Sequence, residues 1–199
     1  MLDLLNPEEI CDIRDDVKSI LEDCDFDREI IYRRLTDRAF NTGTGATTRT
    51  VSDTPIKAFM GNHSAGDVAN SGGILQLGDV IFMFDPNVLD GFPMGDDQII
   101  CEESDNGHVK LISASATVLG YNTTWMTDGV QGGDILAVAD TTIPIKSISS
   151  ETGMILKSNW LLSGEPAVRF KIYRVYEIVN RIVDPLMACV RLSARRAGA

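Results

Sequence analysis

Gln76-Leu-Gly-Asp-Val-Ile-Phe-Met-Phe84 is a Gly-Asp turn that opens onto an uninterrupted apolar run from Val80 to Phe84. A β-branched and aromatic run of that length predicts a strand buried on both faces at the centre of a β-domain. Turn residues bracket it, Gly72-Gly73 before and Asp85-Pro86-Asn87 after, so its ends are set as firmly as its body. The same grammar returns at Gln131-Gly-Gly-Asp-Ile-Leu-Ala-Val138. Two β-units in one chain are expected.

On the N-terminal side, Ile56 to Met60 predicts a strand entered through a turn over Arg49 to Asp53. Glu29 to Leu35 reads as a first strand or a short helix. The run Asn41-Thr-Gly-Thr-Gly-Ala-Thr-Thr48 is too rich in Gly and Thr for a helix, and no helix follows whose N-terminus could hold a phosphate. Asn6-Pro7-Glu8-Glu9 has the form of a helix start. Ile10, Ile13, Val17 and Ile20 then recur at helical spacing and predict an amphipathic helix whose apolar stripe is an assembly face. Between these segments, Asp23 to Glu29 imitates the opening of a calcium loop. Arg28 stands where that loop needs glycine and Arg34 where it needs glutamate, so a solvated acidic turn is expected.

On the C-terminal side, Gly61 to Gly73 holds four glycines and few apolar residues, which predicts a flexible loop. Asp85 to Asp97 predicts a second long loop, ahead of a short strand at Gln98 to Cys101. Residues 109–173 carry turn signals every few residues and predict a small all-β unit with Trp125 and Trp160 in its core. Strand-like runs at Val175 to Val183 and Leu186 to Leu192 flank Asp184-Pro185, and their nearest partners lie before residue 102. The expected domains are therefore 1–108 with 174–199, and an inserted 109–173. The expected fold class is mainly β: a small β-barrel or sandwich domain with an N-terminal amphipathic helix and an inserted second all-β domain.

The chain has 199 residues, 44% of them hydrophobic, which suffices for a packed core. No run reaches the roughly 18 apolar residues that span a bilayer, and Met1-Leu-Asp-Leu-Leu lacks the basic start of a signal peptide. A protein made in the cytosol, without a membrane partner, is expected. Net charge is -11, yet residues 168–199 hold 7 basic and 2 acidic groups. The acidic body argues against a protein that grips nucleic acid and permits one that lets it slide past. Cys11, Cys24, Cys101 and Cys189 are scattered singly and are expected as buried reduced thiols. His63 and His108 lie in turns with no catalytic motif around them. No enzyme activity, metal or cofactor is expected.

Over residues 1–102 and 175–199 the chain resembles the head-tail connector proteins of long-tailed bacteriophages, the stopper or neck class. The ordered features are an acidic N-terminal helix, Thr47 to Thr50, Ile56 to Met60, a long loop, the Gln76-Leu-Gly-Asp79 turn, Asp96-Asp97-Gln98-Ile99, and Asp184-Pro185 before Val190-Arg191-Leu192 and Arg195-Arg196. Residues 109–173 look like a β-module that recurs in phage virion proteins, carried by Asn122-Thr-Thr-Trp125, Gly133-Asp134 and Ile145-Lys-Ser-Ile148. The resemblance implies a structural virion protein at the head-tail interface, assembled in the host cytoplasm. Its partners would be itself in a homo-oligomeric ring, a dodecamer or hexamer, with portal or adaptor and tail-terminator proteins. DNA would pass through the channel without specific binding. By position the family's channel loop maps onto Gly61, Asn62, His63, Asp67, Asn70, Gly72 and Gly73. The alternative is a capsid decoration or fibre-base protein that binds through 109–173.

Overall fold

The Val80 to Phe84 run does form a strand, but one whose alternate residues Val80, Phe82 and Phe84 are buried while Ile81 and Met83 are half-buried. It has one core face rather than the two expected, because it belongs to an antiparallel barrel whose outer side is only partly covered. The computed structural model describes residues 11–12, 15–16, 19, 27–40, 47–91, 93–103, 106–183 and 189–198. They divide into two compact units, the first made of 1–99 and 177–195 and the second of 100–176 and 196–199.

Strands of the first unit are β1 (Asp27–Phe40), β2 (Thr47–Asn62), β3 (Val80–Phe84), β4 (Gln98–Glu102), β11 (Lys171–Val183) and β12 (Val190–Arg196), of which β4, β11 and β12 run on into the second. β1 pairs β2, β2 pairs β3 and β3 pairs β12, all antiparallel. The order continues from β12 to β11, from β11 to β4 and from β4 to β1, closing a six-strand barrel. Closure leaves no free edge around the buried Ile30, Tyr32, Ile56, Phe82, Ile99 and Leu192.

The second unit contains β5 (His108–Leu111), β6 (Thr117–Tyr121), β7 (Ile135–Val138), β8 (Thr141–Ser150), β9 (Gly153–Leu156) and β10 (Glu165–Val168). Their order is β10-β5-β6-β9-β8-β7, and Lys171 to Tyr173 of β11 pair with β7. β8 changes partner along its length: Thr141 to Pro144 pair β7, and Ile145 to Ser150 pair β9 with register shifts. Pro144 sits at that change, where a ladder donor is least needed. Trp125 and Trp160, 0% and 4% exposed, lie in the core with Leu111, Ile145, Met154 and Leu156. Ala139, first of the two residues joining β7 to β8, has φ 49°, a backbone region that costs a side-chain-bearing residue.

Strands make up 53% of the structure, and the α-helix whose bounds lie within the described residues is the short α1 (Ala65–Asn70), which corrects the expected N-terminal amphipathic helix as a defining element of the fold. Cys11, Asp12, Asp15, Asp16 and Ser19 are helical and exposed, and Ile10, Ile13, Val17 and Ile20 lie outside the described residues. Cys11 is exposed beside these acidic groups, against the expected buried thiol, whereas Cys101 is buried and Cys189 half-buried. The turn expected over Arg49 to Asp53 is instead the interior of β2, because Arg49 to Asp53 pair with Arg38 to Arg33 of β1.

Candidate functional site

Three turns of one design precede strands in the two units. At Gln76 to Asp79 the Asp79 N–H donates to the Gln76 carbonyl at 3.1 Å, and the Asp79 carboxylate accepts the Gln76 N–H at 2.8 Å. Gly78 supplies the φ of 97° at the third position. Gln131 to Asp134 repeats both bonds, at 3.3 and 2.9 Å, with Gly133 at φ 101°. A Cβ on Gly133 would also come within 2.3 Å of the Ala197 carbonyl. Met94 to Asp97 makes the same pair of bonds at 3.2 and 2.8 Å, without a positive φ at its third residue.

All three aspartates are buried, and each has a cationic partner. Arg195 grips Asp79 through Nε and Nη2, both at 2.9 Å, and Nη2 also donates to the Ile74 carbonyl. Arg196 grips Asp134 in the same two-pronged manner. Asp97 accepts from the Tyr32 hydroxyl and the Leu35 N–H, with Arg34 Nε at 3.9 Å. Burial by itself raises the Asp79 carboxyl, but the bonds from Arg195 and the Gln76 N–H prevail and hold it below the ordinary range. Burial, then the bond to Asp97, push the Tyr32 phenol up. Carboxylates so fully engaged serve to hold turns in place and are poor candidates for moving protons.

The segment mapped as a channel loop is more ordered than the sequence led one to expect. Gly61 and Asn62 are the end of β2, paired with Ile81 and Val80. Ser64 caps α1: the Asp67 N–H donates to Ser64 Oγ at 3.1 Å and the Ser64 N–H to the Asp67 carboxylate at 3.0 Å. The Ser64 hydroxyl and backbone bonds hold the Asp67 carboxyl below its usual range. Asn70 is the last residue of α1, and Gly72 and Gly73 turn with φ 64° and 89°. His63 is half-buried. The expectation of an irregular loop is corrected: glycine content hid the Ser64-Ala-Gly-Asp67 capping box.

A second feature is the reach of the β1–β2 hairpin. β2 pairs β3 only through Phe59 to Asn62, while its pairing with β1 runs on to Phe40 and Thr47. Among the described side chains, the last buried ones toward the tip are Tyr32 on β1 and Ile56 on β2, with Ile30 and Ala58 behind them. Thr50 to Asp53 are exposed, Val51 at 48%. Seven pairs beyond Tyr32 extend this ribbon by roughly 20 Å, at about 3.3 Å per residue. Arg33 bonds Asp53 across it at 2.8 Å, an exposed pair that adds little stability.

Among the described residues no group of His, Cys, Asp or Glu could hold a metal ion, and no helix is long and apolar enough to cross a membrane. Sequence reasoning found the two Gly-Asp turns but not their arginines, which follow 116 and 62 residues later. No family model, curated protein or solved structure matches the chain.

Proposed function

We propose that the chain is a structural virion protein that assembles as a ring at the head-tail junction of a long-tailed bacteriophage. It would join portal or adaptor to tail, with DNA passing through the channel. The observation that carries this reading is the β1–β2 ribbon, whose backbone pairing runs past Tyr32 out to Phe40 and Thr47, with Thr50 to Asp53 exposed. A two-stranded ribbon is marginal by itself in water, and a neighbouring subunit would bury its exposed side chains. A closed ring needs one heterologous contact repeated, and a ribbon on one subunit against a barrel on the next meets that need. The acidic body favours passage of DNA over adhesion.

The test is a phage carrying a chain in which residues 36–50 are replaced by Asn-Gly, a turn suited to the Leu35–Val51 pair. Heads and tails should accumulate unjoined. Normal yields of complete particles would exclude the ribbon as the joining element.

A capsid decoration or fibre-base role is the second reading. It is favoured by a cleft of about 470 Å³ in the second unit, lined by Asn106, His108, Arg169, Lys171 and Tyr173, a size suited to small ligands.

A further inference from the structure

On β12, Arg191, Ser193 and Arg195 are separated by the buried Leu192 and Ala194, so the three share the barrel's outer face. Ser193 is nevertheless only 2% exposed, because the segment from His63 to Leu75 covers that face. Between them lies a cavity of about 250 Å³, lined by His63, Asp67, Asn70, Asn180, Arg191 and Ser193. Both ring nitrogens of His63 and Nε of Arg191 are closed off from solvent and have no hydrogen-bond partner. Such groups are costly to leave unmade and call for an explanation.

Arg191 Nε lacks an acceptor, and neutral His63 lacks an acceptor for its one N–H and a donor for its other nitrogen, so a partner that is rich in acceptors and can also donate from a hydroxyl fits both. The Asp67 carboxylate on the same wall is bonded through Oδ2 to the Ser64 N–H at 3.0 Å and to its hydroxyl at 2.8 Å, and it also feels the charges of Arg191 and His63. With a guanidinium and an imidazole beside one carboxylate already held in a helix cap, the wall offers more donors than acceptors, and an anion is favoured over a cation. We propose that this cavity binds a small oxyanion of the phosphate type, held by Arg191 and His63 with the carboxamides of Asn70 and Asn180 beside it. A cavity of about 250 Å³ has room for one such ion and part of its hydration. Binding includes a turn of the His63 ring, whose second side-chain torsion is broad. His63, Asp67 and Asn70 also lie in the segment mapped as a channel loop, but binding by the free chain does not require a ring.

Free phosphate and the phosphodiester of nucleic acid share this chemistry, and two arms of one experiment separate them. His63 ring resonances are followed by NMR in the full chain as potassium phosphate replaces potassium chloride at constant ionic strength. Saturable shifts with phosphate are expected, weakened about tenfold or more in Arg191→Gln, as for loss of a charge-assisted bond. His63→Gln, followed by the Asn180 side-chain amide, gives the same answer if Arg191→Gln does not fold. A short DNA duplex that moves the same resonances assigns the site to phosphodiesters, and one that leaves them unmoved assigns it to the free ion. Equal shifts in chloride, or phosphate binding unchanged in both variants, would overturn the proposal.

Discussion

Arg195 and Arg196 are adjacent on β12 and so point to opposite sides of the strand, yet each ends on a buried aspartate that closes a turn, Asp79 or Asp134. Removing one partner strands the other, so Arg195→Ala should cost about 3 kcal/mol in urea unfolding. Arg195→Lys should recover only part, since lysine cannot make the two-pronged bond. The pH dependence follows from the lowered Asp79 carboxyl. Its folded value lies below the unfolded one, so its contribution is complete above about pH 4 and is lost as pH falls through the folded value. Asp79→Asn should flatten stability over that acid range; an unchanged slope would mean the pair contributes no proton linkage. At Ala139, where φ is 49°, replacement by glycine should raise stability by about 1 kcal/mol in thermal unfolding. The turns were legible in the sequence because Gly78 and Gly133 meet a local backbone demand. Their arginines were not, because a partner more than 60 residues away leaves no local signal.

At the scale of elements, alternation and turn chemistry located most strands, including those around Ile56, Val80, Ile145 and Met154. The 61–73 segment was misread because its glycines outweighed a six-residue helix held by its cap and by no buried side chain. Ser64→Ala should therefore unravel α1 at a cost of about 1 kcal/mol, seen as faster amide exchange over residues 65–70. Unchanged exchange would show that α1 rests on other contacts. The β1–β2 ribbon was equally hidden: Thr50, Ser52 and Asp53 are polar and exposed beside an exposed Val51, and strand pairing without burial there leaves no apolar period to read.

For the whole molecule, residues 100–176 of the second unit interrupt the sequence of the first while 196–199 follow it, and within the interrupting segment the Glu103 N–H bonds the Ile172 carbonyl at 2.8 Å. The ends of the insertion are thus side by side. A chain with residues 104–170 replaced by a short Gly/Ser linker should still unfold cooperatively, because closing a loop between neighbouring ends costs little. Loss of a cooperative transition would mean that the barrel depends on the second unit. The proposed ring role rests on the acidic charge and the exposed ribbon, and position within a virion is the claim on which that proposal stands. Under that proposal the direct measurement is electron microscopy of virions that carry the chain, labelled with an antibody raised against residues 106–169. Label confined to the junction of head and tail is the predicted result; label spread over the capsid or placed at the tail fibres would contradict it.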